Sequence, residues 1–260
     1  MILRSLVCAY VAALAVPAVA QDDARPVRTR VALGPQLVPN YPGSDGLAWR
    51  PLVDVSRARG DDAFDFEAPD ESFGFPLLRR ETLAIGPAIG VEGRRTRREV
   101  GVALPEVGFS FELGGFVQYE PLPALRLRAE VRKGLSGHKG LIAVAGADYV
   151  LRNADRWLFS IGPRVTLADN RYQDAYFTAA PADAAAAGIA AFDARAGINA
   201  VGLTAGFIRQ LTPRWGIYSY AKYDRLAGDA GRSPVTRAFG TANQISGGIA
   251  LSYTFGRGVR

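Results

Sequence analysis

The sequence predicts an all-β fold: a closed antiparallel transmembrane β-barrel of about twelve strands (ten as the alternative), behind a cleaved signal peptide. The clearest observation is the alternation of apolar and charged side chains over residues 124–134. Because side chains on a strand point to opposite faces with period two, one face of this segment is apolar and the other charged. The apolar positions, then the charged ones, are Leu125, Leu127, Ala129 and Val131, and Arg126, Arg128, Glu130 and Arg132.

Segments with the same polarity recur along the chain, at residues 107–120, 141–152, 157–167 and 244–255. Each has about the ten residues that a tilted strand needs to cross a bilayer. A sheet in a soluble protein can alternate in the same way. It is the recurrence of the pattern behind a secretory signal that favours an outer-membrane barrel.

The secretory signal occupies residues 1–20. Arg4 supplies a positive start, residues 6–16 are apolar, and Ala18 and Ala20 match the small-x-small cleavage rule. A helical membrane anchor is the rival interpretation, but the apolar run is short for a spanning helix. We therefore expect a signal peptide at residues 1–20 and one barrel domain at residues 21–260.

Composition excludes several classes of function. Cys8 is the chain's one cysteine and lies in the predicted signal, so no thiolate chemistry and no cysteine metal site is expected in the mature protein. Removing Arg4 leaves 30 basic against 25 acidic side chains, a net charge of +5. This small excess is scattered through strands and makes a poor nucleic-acid footprint. We expect no cofactor and no nucleic-acid partner.

The connections between segments alternate in length. Short links at residues 121–123, 153–156 and 212–214 are separated by long ones at residues 93–106, 168–194 and 228–240. Outer-membrane barrels have short periplasmic turns and long outer loops, so the alternation predicts the sidedness of the barrel.

The count of twelve includes two short predicted strands, near residues 63–67 and 72–78, and losing both of these segments would leave ten strands. Residues 195–211 alternate less regularly, which predicts a bulge near Gly202.

Five local patterns, in order along the chain, resemble the MltA-interacting protein family, also called MipA/OmpV. They are an early Tyr-x-Gly-Ser-Asp loop, a Gly-His turn after the arginine-rich strand, a Tyr-x-x-x-Tyr-Phe segment at residues 172–177 followed by Ala-Gly-Ile at residues 187–189, a late Gly-Asp loop followed by Ser-Pro, and the last strand. The loop positions that carry the resemblance are Tyr41, Gly43, Ser44, Asp45, Gly137, His138, Gly228, Asp229, Ser233 and Pro234.

The resemblance implies a barrel in the Gram-negative outer membrane, and a role in peptidoglycan remodelling. The family's founding activity is to bridge a murein-degrading lytic transglycosylase to a penicillin-binding protein. Other members are linked to adhesion or to antibiotic sensitivity. The resemblance assigns none of the scaffold contacts to particular residues.

The function expected is therefore that of a non-enzymatic scaffold in the cell envelope. A narrow solute channel or an adhesin-like surface protein is the alternative. A barrel hydrolase ranks third, because His138 is the chain's one histidine and Ser136, two residues away in a turn, need not reach it. A loop residue that closes a glycine turn is the favoured interpretation of His138.

The inward face is expected to hold a network of ion pairs that fills the lumen, with slow passage of small solutes as the functional alternative. Its members are Glu112, Arg126, Arg128, Glu130, Arg132, Arg164, Lys222 and Asp224. The densest acidic stretch, residues 61–71, is interpreted as a solvated turn.

Two surfaces are candidates for partners. Arg94, Arg95, Arg97 and Arg98 lie in a predicted outer loop, where they either meet lipopolysaccharide phosphates or form a solvated charge run. Proline pre-sets the shape of two predicted periplasmic turns, which suit a lytic transglycosylase or a penicillin-binding protein. The turn residues are Pro121, Pro123, Pro213 and Arg214. The barrel is expected to be a monomer surrounded by outer-membrane lipid.

Overall fold

The computed structural model describes residues 25–100 and 104–256 as a twelve-stranded sheet that curls on itself. The predicted signal peptide lies outside the described residues. The ten long strands are β1 (Val27–Pro39), β2 (Leu47–Arg59), β5 (Leu83–Glu92), β6 (Ser110–Leu122), β7 (Leu125–Gly134), β8 (Leu141–Asn153), β9 (Trp157–Ala168), β10 (Gly197–Gln210), β11 (Trp215–Leu226) and β12 (Asn243–Phe255). The two short strands are β3 (Phe73–Gly74) and β4 (Leu78–Arg80).

Every ladder in the sheet is antiparallel, and all but two join strands that are neighbours along the chain. The two exceptions are the ladder between β3 and β5 and the ladder between β1 and β12. The pairing of β1 with β12 brings the first and last strands together and curls the sheet around a lumen. Twelve strands agree with the predicted count, and ten of them are long.

The ends of the sheet are β2 on one side and β3 with β4, both paired to β5, on the other. In the described part of the chain no ladder joins β2 to β3 or β4. The strand ladder against β5 breaks between Gly74 and Leu78, next to Pro76 and Pro87. Proline has no backbone N–H to donate, which explains the break. The predicted strand near residues 63–67 is wrong, because those residues form no ladder.

Apolar side chains face outward and charged ones face the lumen, as the alternation predicted. On β7, Val131 on the outer face is 51% exposed, whereas Arg128 on the inner face is 9% exposed. Trp215, Tyr253 and Phe255 form an edge-to-face aromatic chain on the outer surface near the end of the last strand. Because the apolar face points away from the barrel, the outside of the sheet suits lipid as its solvent.

Two local details differ from the sequence-based expectations. The bulge expected near Gly202 lies between Ile198 and Ala200, where the β9–β10 register shifts by one residue. The turn expected at residues 121–123 is made by Pro123 and Ala124, and Pro121 still belongs to β6.

The two ends of the barrel are built differently. One end, called the short-turn end here, carries the tight links at residues 123–124, 154–156 and 211–214. The opposite end, the long-loop end, carries five short helices, which lie in the long connections between strands. They are α1 (Arg97–Val100), α2 (Asn170–Phe177), α3 (Pro181–Ala187), α4 (Gly228–Arg232) and α5 (Pro234–Phe239).

The long loops pack together over the mouth of the barrel and form a cap. Its apolar cluster includes Tyr41, Leu104, Tyr172, Phe177 and Val235, all buried. None of the helices in residues 25–100 and 104–256 is long and apolar enough to cross a membrane. The largest apolar core of the structure therefore sits at the long-loop end.

Replacing Val131 by Arg should destabilise the barrel by about 2–4 kcal/mol, because a charge on the outer face near the middle of the span is transferred to lipid. Leu122→Arg is the control, since Leu122 is also outward but lies at the short-turn end, where the cost falls to about 0–1 kcal/mol. Equilibrium folding into lipid vesicles measures both values. Equal stability of the Val131→Arg variant and the wild type would show that the faces are assigned wrongly.

Candidate functional site

The lumen is occupied by residues 61–72 of the chain itself, which we call the luminal segment. The segment follows β2 at the short-turn end and crosses the inside of the barrel before β3 begins. Its first anchor is Phe64, whose amide donates to Asp155 Oδ1 at 3.0 Å and whose carbonyl accepts from Arg152 Nη1 at 3.0 Å. The Phe64 ring also lies under the guanidinium groups of Arg28 and Arg30, 4.9 and 4.5 Å from its centroid.

Asp70 joins the segment to three strands of the wall. Arg164 on β9 donates to the Asp70 carboxylate from Nη2 and from Nε, each at 3.1 Å. Thr204 Oγ1 on β10 donates to Oδ2 at 2.9 Å, and Lys222 Nζ on β11 lies 3.2 Å from the same oxygen. Arg164, Lys222 and Thr204 together compensate the desolvation of the Asp70 carboxylate inside the barrel.

Glu71 makes the matching contact with β7, which lies two strands from β9 along the same wall. Arg126 Nη2 donates to Glu71 Oε2 at 2.7 Å, and Arg128 Nε lies 3.6 Å from that oxygen. The next residue, Ser72, donates to Glu130 Oε2 at 2.8 Å. Because Arg164 and Arg126 both contact Asp148 on β8, Asp70 and Glu71 are bound side by side to the same part of the wall, and together they fix the end of the segment there.

The remaining residues of the expected network pair along the wall. Arg132 bonds Glu112 through Nε at 2.7 Å and also pairs with Glu130. Lys222 Nζ lies 3.0 Å from Asp224 Oδ2. All eight residues of the expected network thus take part in ion pairs in the structure.

Sequence reasoning missed Asp148 as a member of the network. Its carboxylate lies 2.7 Å from Arg164 Nη2 and 3.4 Å from Arg126 Nη1, so it bridges two arginines on different strands. The signal was present, because Asp148 falls on the polar face of β8. Its role as a shared partner depends on the register of β7, β8 and β9, which the sequence does not state.

The interpretation of residues 61–71 as a solvated turn is wrong for the last two residues. The side chains of Asp70 and Glu71 are only 5% and 12% exposed, whereas Asp62 and Asp65 make exposed ion pairs with Arg25 and Arg79. Buried carboxylates are stable only where cations and hydrogen bonds compensate their desolvation. The luminal arginines provide that compensation.

His138 lies beneath the cap with its side chain fully buried. Its Nδ1 accepts a hydrogen bond from the amide of Gly140 at 3.0 Å, so the proton lies on Nε2, which donates to Glu112 Oε1 at 2.8 Å. Ser136 Oγ instead contacts the backbone of Phe109 and Phe111. Both ring nitrogens are engaged, and the Ser136–His138 pair that a hydrolase would need does not form.

The family-like loop positions meet in and around the cap. Gly43 donates to Gln244 Oε1 at 3.0 Å, which joins the first long loop to the start of β12. Ser233 Oγ donates to the carbonyl of Phe177 at 2.6 Å. Pro234 begins α5, Gly228 begins α4 with a left-handed φ of 53°, and Asp45 is exposed.

Ionised Asp229 joins two other parts of the cap. It accepts from the amide of Arg195 at 2.9 Å and from Arg232 Nη2 at 2.6 Å. Both hydrogen bonds lower the pKa of the Asp229 carboxyl, and the one from Arg232 has the larger effect. The loop positions, from Tyr41 through His138 to Ser233, therefore hold the cap together.

Arg95 does not belong to an exposed basic surface. Its guanidinium is buried and donates to the carbonyls of Tyr176 and Pro105, at 2.6 and 2.9 Å. Arg94, Arg97 and Arg98 remain exposed on the same loop.

The turn at the short-turn end around Pro213 is held rigid by its neighbours. Thr212 Oγ1 accepts from the amides of Arg214 and Trp215, at 3.3 and 3.0 Å. Gln210 Nε2 donates to the carbonyls of Thr212 and Pro213, at 2.9 and 3.2 Å. The Arg214 side chain is exposed beside this fixed backbone.

Residues 25–100 and 104–256 contain no group of three or more His, Cys, Asp or Glu side chains arranged to hold a metal ion. The carboxylates of the lumen are instead compensated by arginine and lysine.

The family described as MltA-interacting protein MipA matches residues 31–255, which is most of the sequence. The chain belongs to the MipA family. It is an outer-membrane protein. Because outer-membrane barrels have short periplasmic turns, the short-turn end is expected to face the periplasm. No curated protein matches the chain significantly.

Solved outer-membrane barrels resemble this MipA-family chain distantly. An outer membrane channel from Pseudomonas putida F1 is 10% identical, with a TM-score of 0.42 over 92% of this chain and 100% of that chain. A loop-deletion mutant of OmpT from Vibrio cholerae is 7% identical, with a TM-score of 0.36 over 88% and 98%. Likenesses this distant carry no information on function.

The Arg164→Gln substitution should destabilise the barrel by about 3–5 kcal/mol, because it leaves the buried carboxylates of Asp70 and Asp148 without their shared cation. Arg195→Gln is the matched control. Its partner Asp193 lies at a similar distance of 2.8 Å, but the two side chains are 75% and 67% exposed. Such a pair contributes about 0–1 kcal/mol. Equal losses in a urea-unfolding series would contradict the assignment of Arg164 as a buried tie.

Proposed function

We propose that this protein is a non-enzymatic barrel with a filled lumen that serves as a scaffold for cell-wall enzymes at its periplasmic end. The observation that carries the proposal is the filled lumen, in which Asp70 and Glu71 are bonded to arginines of the wall. A barrel closed by its own chain, and covered by a cap at the other end, is poorly suited to passing solutes. The surfaces that remain for function are the two ends.

A cell-wall enzyme is the partner that the family description favours. That description names an interaction with MltA, which is a lytic transglycosylase. Enzymes of this kind work on peptidoglycan in the periplasm, where the tight turns of this barrel lie. A penicillin-binding protein is the second partner in the proposal.

The periplasmic turns provide a surface that loses little entropy on binding. The backbone around Pro213 is already fixed by Thr212 and Gln210, and proline restricts the turn at Pro123. A surface that is rigid before binding loses less conformational entropy in a complex. Leu122 beside the second turn is 61% exposed, which provides an apolar contact next to a polar corner.

The buried His138 supports a function without catalysis. A general base needs a free nitrogen within reach of substrate, and here Glu112 and the amide of Gly140 occupy both nitrogens. The exposed outer-loop arginines Arg94, Arg97 and Arg98 belong to the same proposal as contacts for lipopolysaccharide phosphates.

Binding of a purified lytic transglycosylase to the barrel in detergent tests the scaffold. Leu122→Asp and Arg214→Glu should each weaken the complex about tenfold or more. The first places a carboxylate in an apolar contact, and the second reverses the sign of a charge on the periplasmic surface. Leu135→Asp is the matched control, since Leu135 is 58% exposed but lies at the long-loop end. No binding by the wild type, or the same loss in the control, would reject the scaffold.

A further inference from the structure

The luminal segment is held by side chains and by few backbone ladders. Residues 61–72 form no strand, and the strands that follow pair with β5 through only two and three residues. The contacts of the segment with the wall are those a bound peptide makes: two ionic anchors, a buried aromatic ring and a few hydrogen bonds.

Where the segment lies, the wall has more cationic side chains than carboxylates of its own to pair with them. Arg126 and Arg164 share a single wall carboxylate, Asp148, and obtain their second partner from the segment, in Glu71 and Asp70. Without the segment two guanidinium groups would face one carboxylate. Arginine is suited to such a place, because it binds carboxylates through two donors at once.

The wall also provides the room that the arginine side chains need. A Cβ on Gly146 would lie 2.8 Å from Arg164 Nη1, and one on Gly90 would lie 2.7 Å from Arg132 Nε. Any larger residue at these positions would displace the guanidinium groups. The small residues therefore keep the cations in a row along the groove.

The groove is accessible from the periplasm. The segment enters there, and its first ion pairs, Asp62 with Arg25 and Asp65 with Arg79, are about half exposed. At the other end the cap closes the mouth with buried apolar side chains such as Leu104 and Phe177. A ligand can thus reach the groove from the periplasm, whereas the cap blocks passage through the barrel.

The geometry points to a peptide-binding groove in the lumen, which the protein's own acidic segment occupies and which takes acidic, extended peptides of the same kind from the periplasm. The segment is the template for the ligand: two adjacent carboxylates after a proline, with aromatic residues six and four positions before the first of them, at Phe64 and Phe66. This inference goes beyond the scaffold function and does not depend on it.

A synthetic peptide with the sequence of residues 61–72, labelled with a fluorophore, tests the groove. In one variant of the full chain a Gly-Ser linker of equal length replaces residues 61–72, and in a second variant the substitutions are Asp70→Asn and Glu71→Gln. Both should bind the peptide at least about tenfold more tightly than the wild type, whose groove is occupied. Binding should weaken in high salt, because screening reduces the ionic contacts.

Two controls accompany these variants. Asp62→Asn with Asp65→Asn removes the same number of carboxylates from the exposed part of the segment, and should behave like the wild type. A peptide with Asn and Gln in place of its two anchoring carboxylates should not bind.

Several results would overturn the inference. The first is that neither variant binds the peptide better than the wild type does. The second is that inorganic phosphate competes as well as the acidic peptide, which would make the wall a simple anion site. The third is that neither variant folds, because the segment would then be a fixed part of the barrel. Solute flux through reconstituted variants should stay at the wild-type level, since the cap remains in place.

Discussion

The compensation of buried charge is the constraint on which the rest of this structure depends. The barrel turns its apolar face to lipid, so its charged residues have to face inward. Arginines on β7 and β9 then need partners in a space that excludes most water. Asp70 and Glu71 supply them from a segment between strands, and the lumen closes as a consequence.

The two ends of the barrel differ in structure. At the outer end, apolar side chains from several long loops cover the mouth, and His138 and Glu112 lie beneath them. At the periplasmic end the turns are short and rigid, and the luminal segment enters beside them. The periplasmic end therefore holds both the proposed enzyme surface and the proposed entrance of the groove.

The short strands β3 and β4, at the edge of the sheet opposite β2, have a local cause. Pro76 and Pro87 interrupt the ladder with β5, so the chain after the luminal segment returns as two short strands. A segment so weakly tied to the sheet depends on its ionic anchors to stay in place. Because the strands after it pair with β5 over so few residues, the luminal segment is held mainly by side-chain contacts, as a bound peptide would be.

The sequence alone determined the strand faces, the long strands and the family, because each depends on local pattern. Alternation in β7 placed Val131 outside and Arg128 inside, and link lengths distinguished the two ends. The place of residues 61–72 was decided only by the tertiary structure. Asp70 and Thr204 lie 134 residues apart, and in the sequence an acidic stretch bound to distant arginines looks the same as a solvated turn. Curling of the sheet brings these groups together, and the cost of burying charge then determines which of them pair.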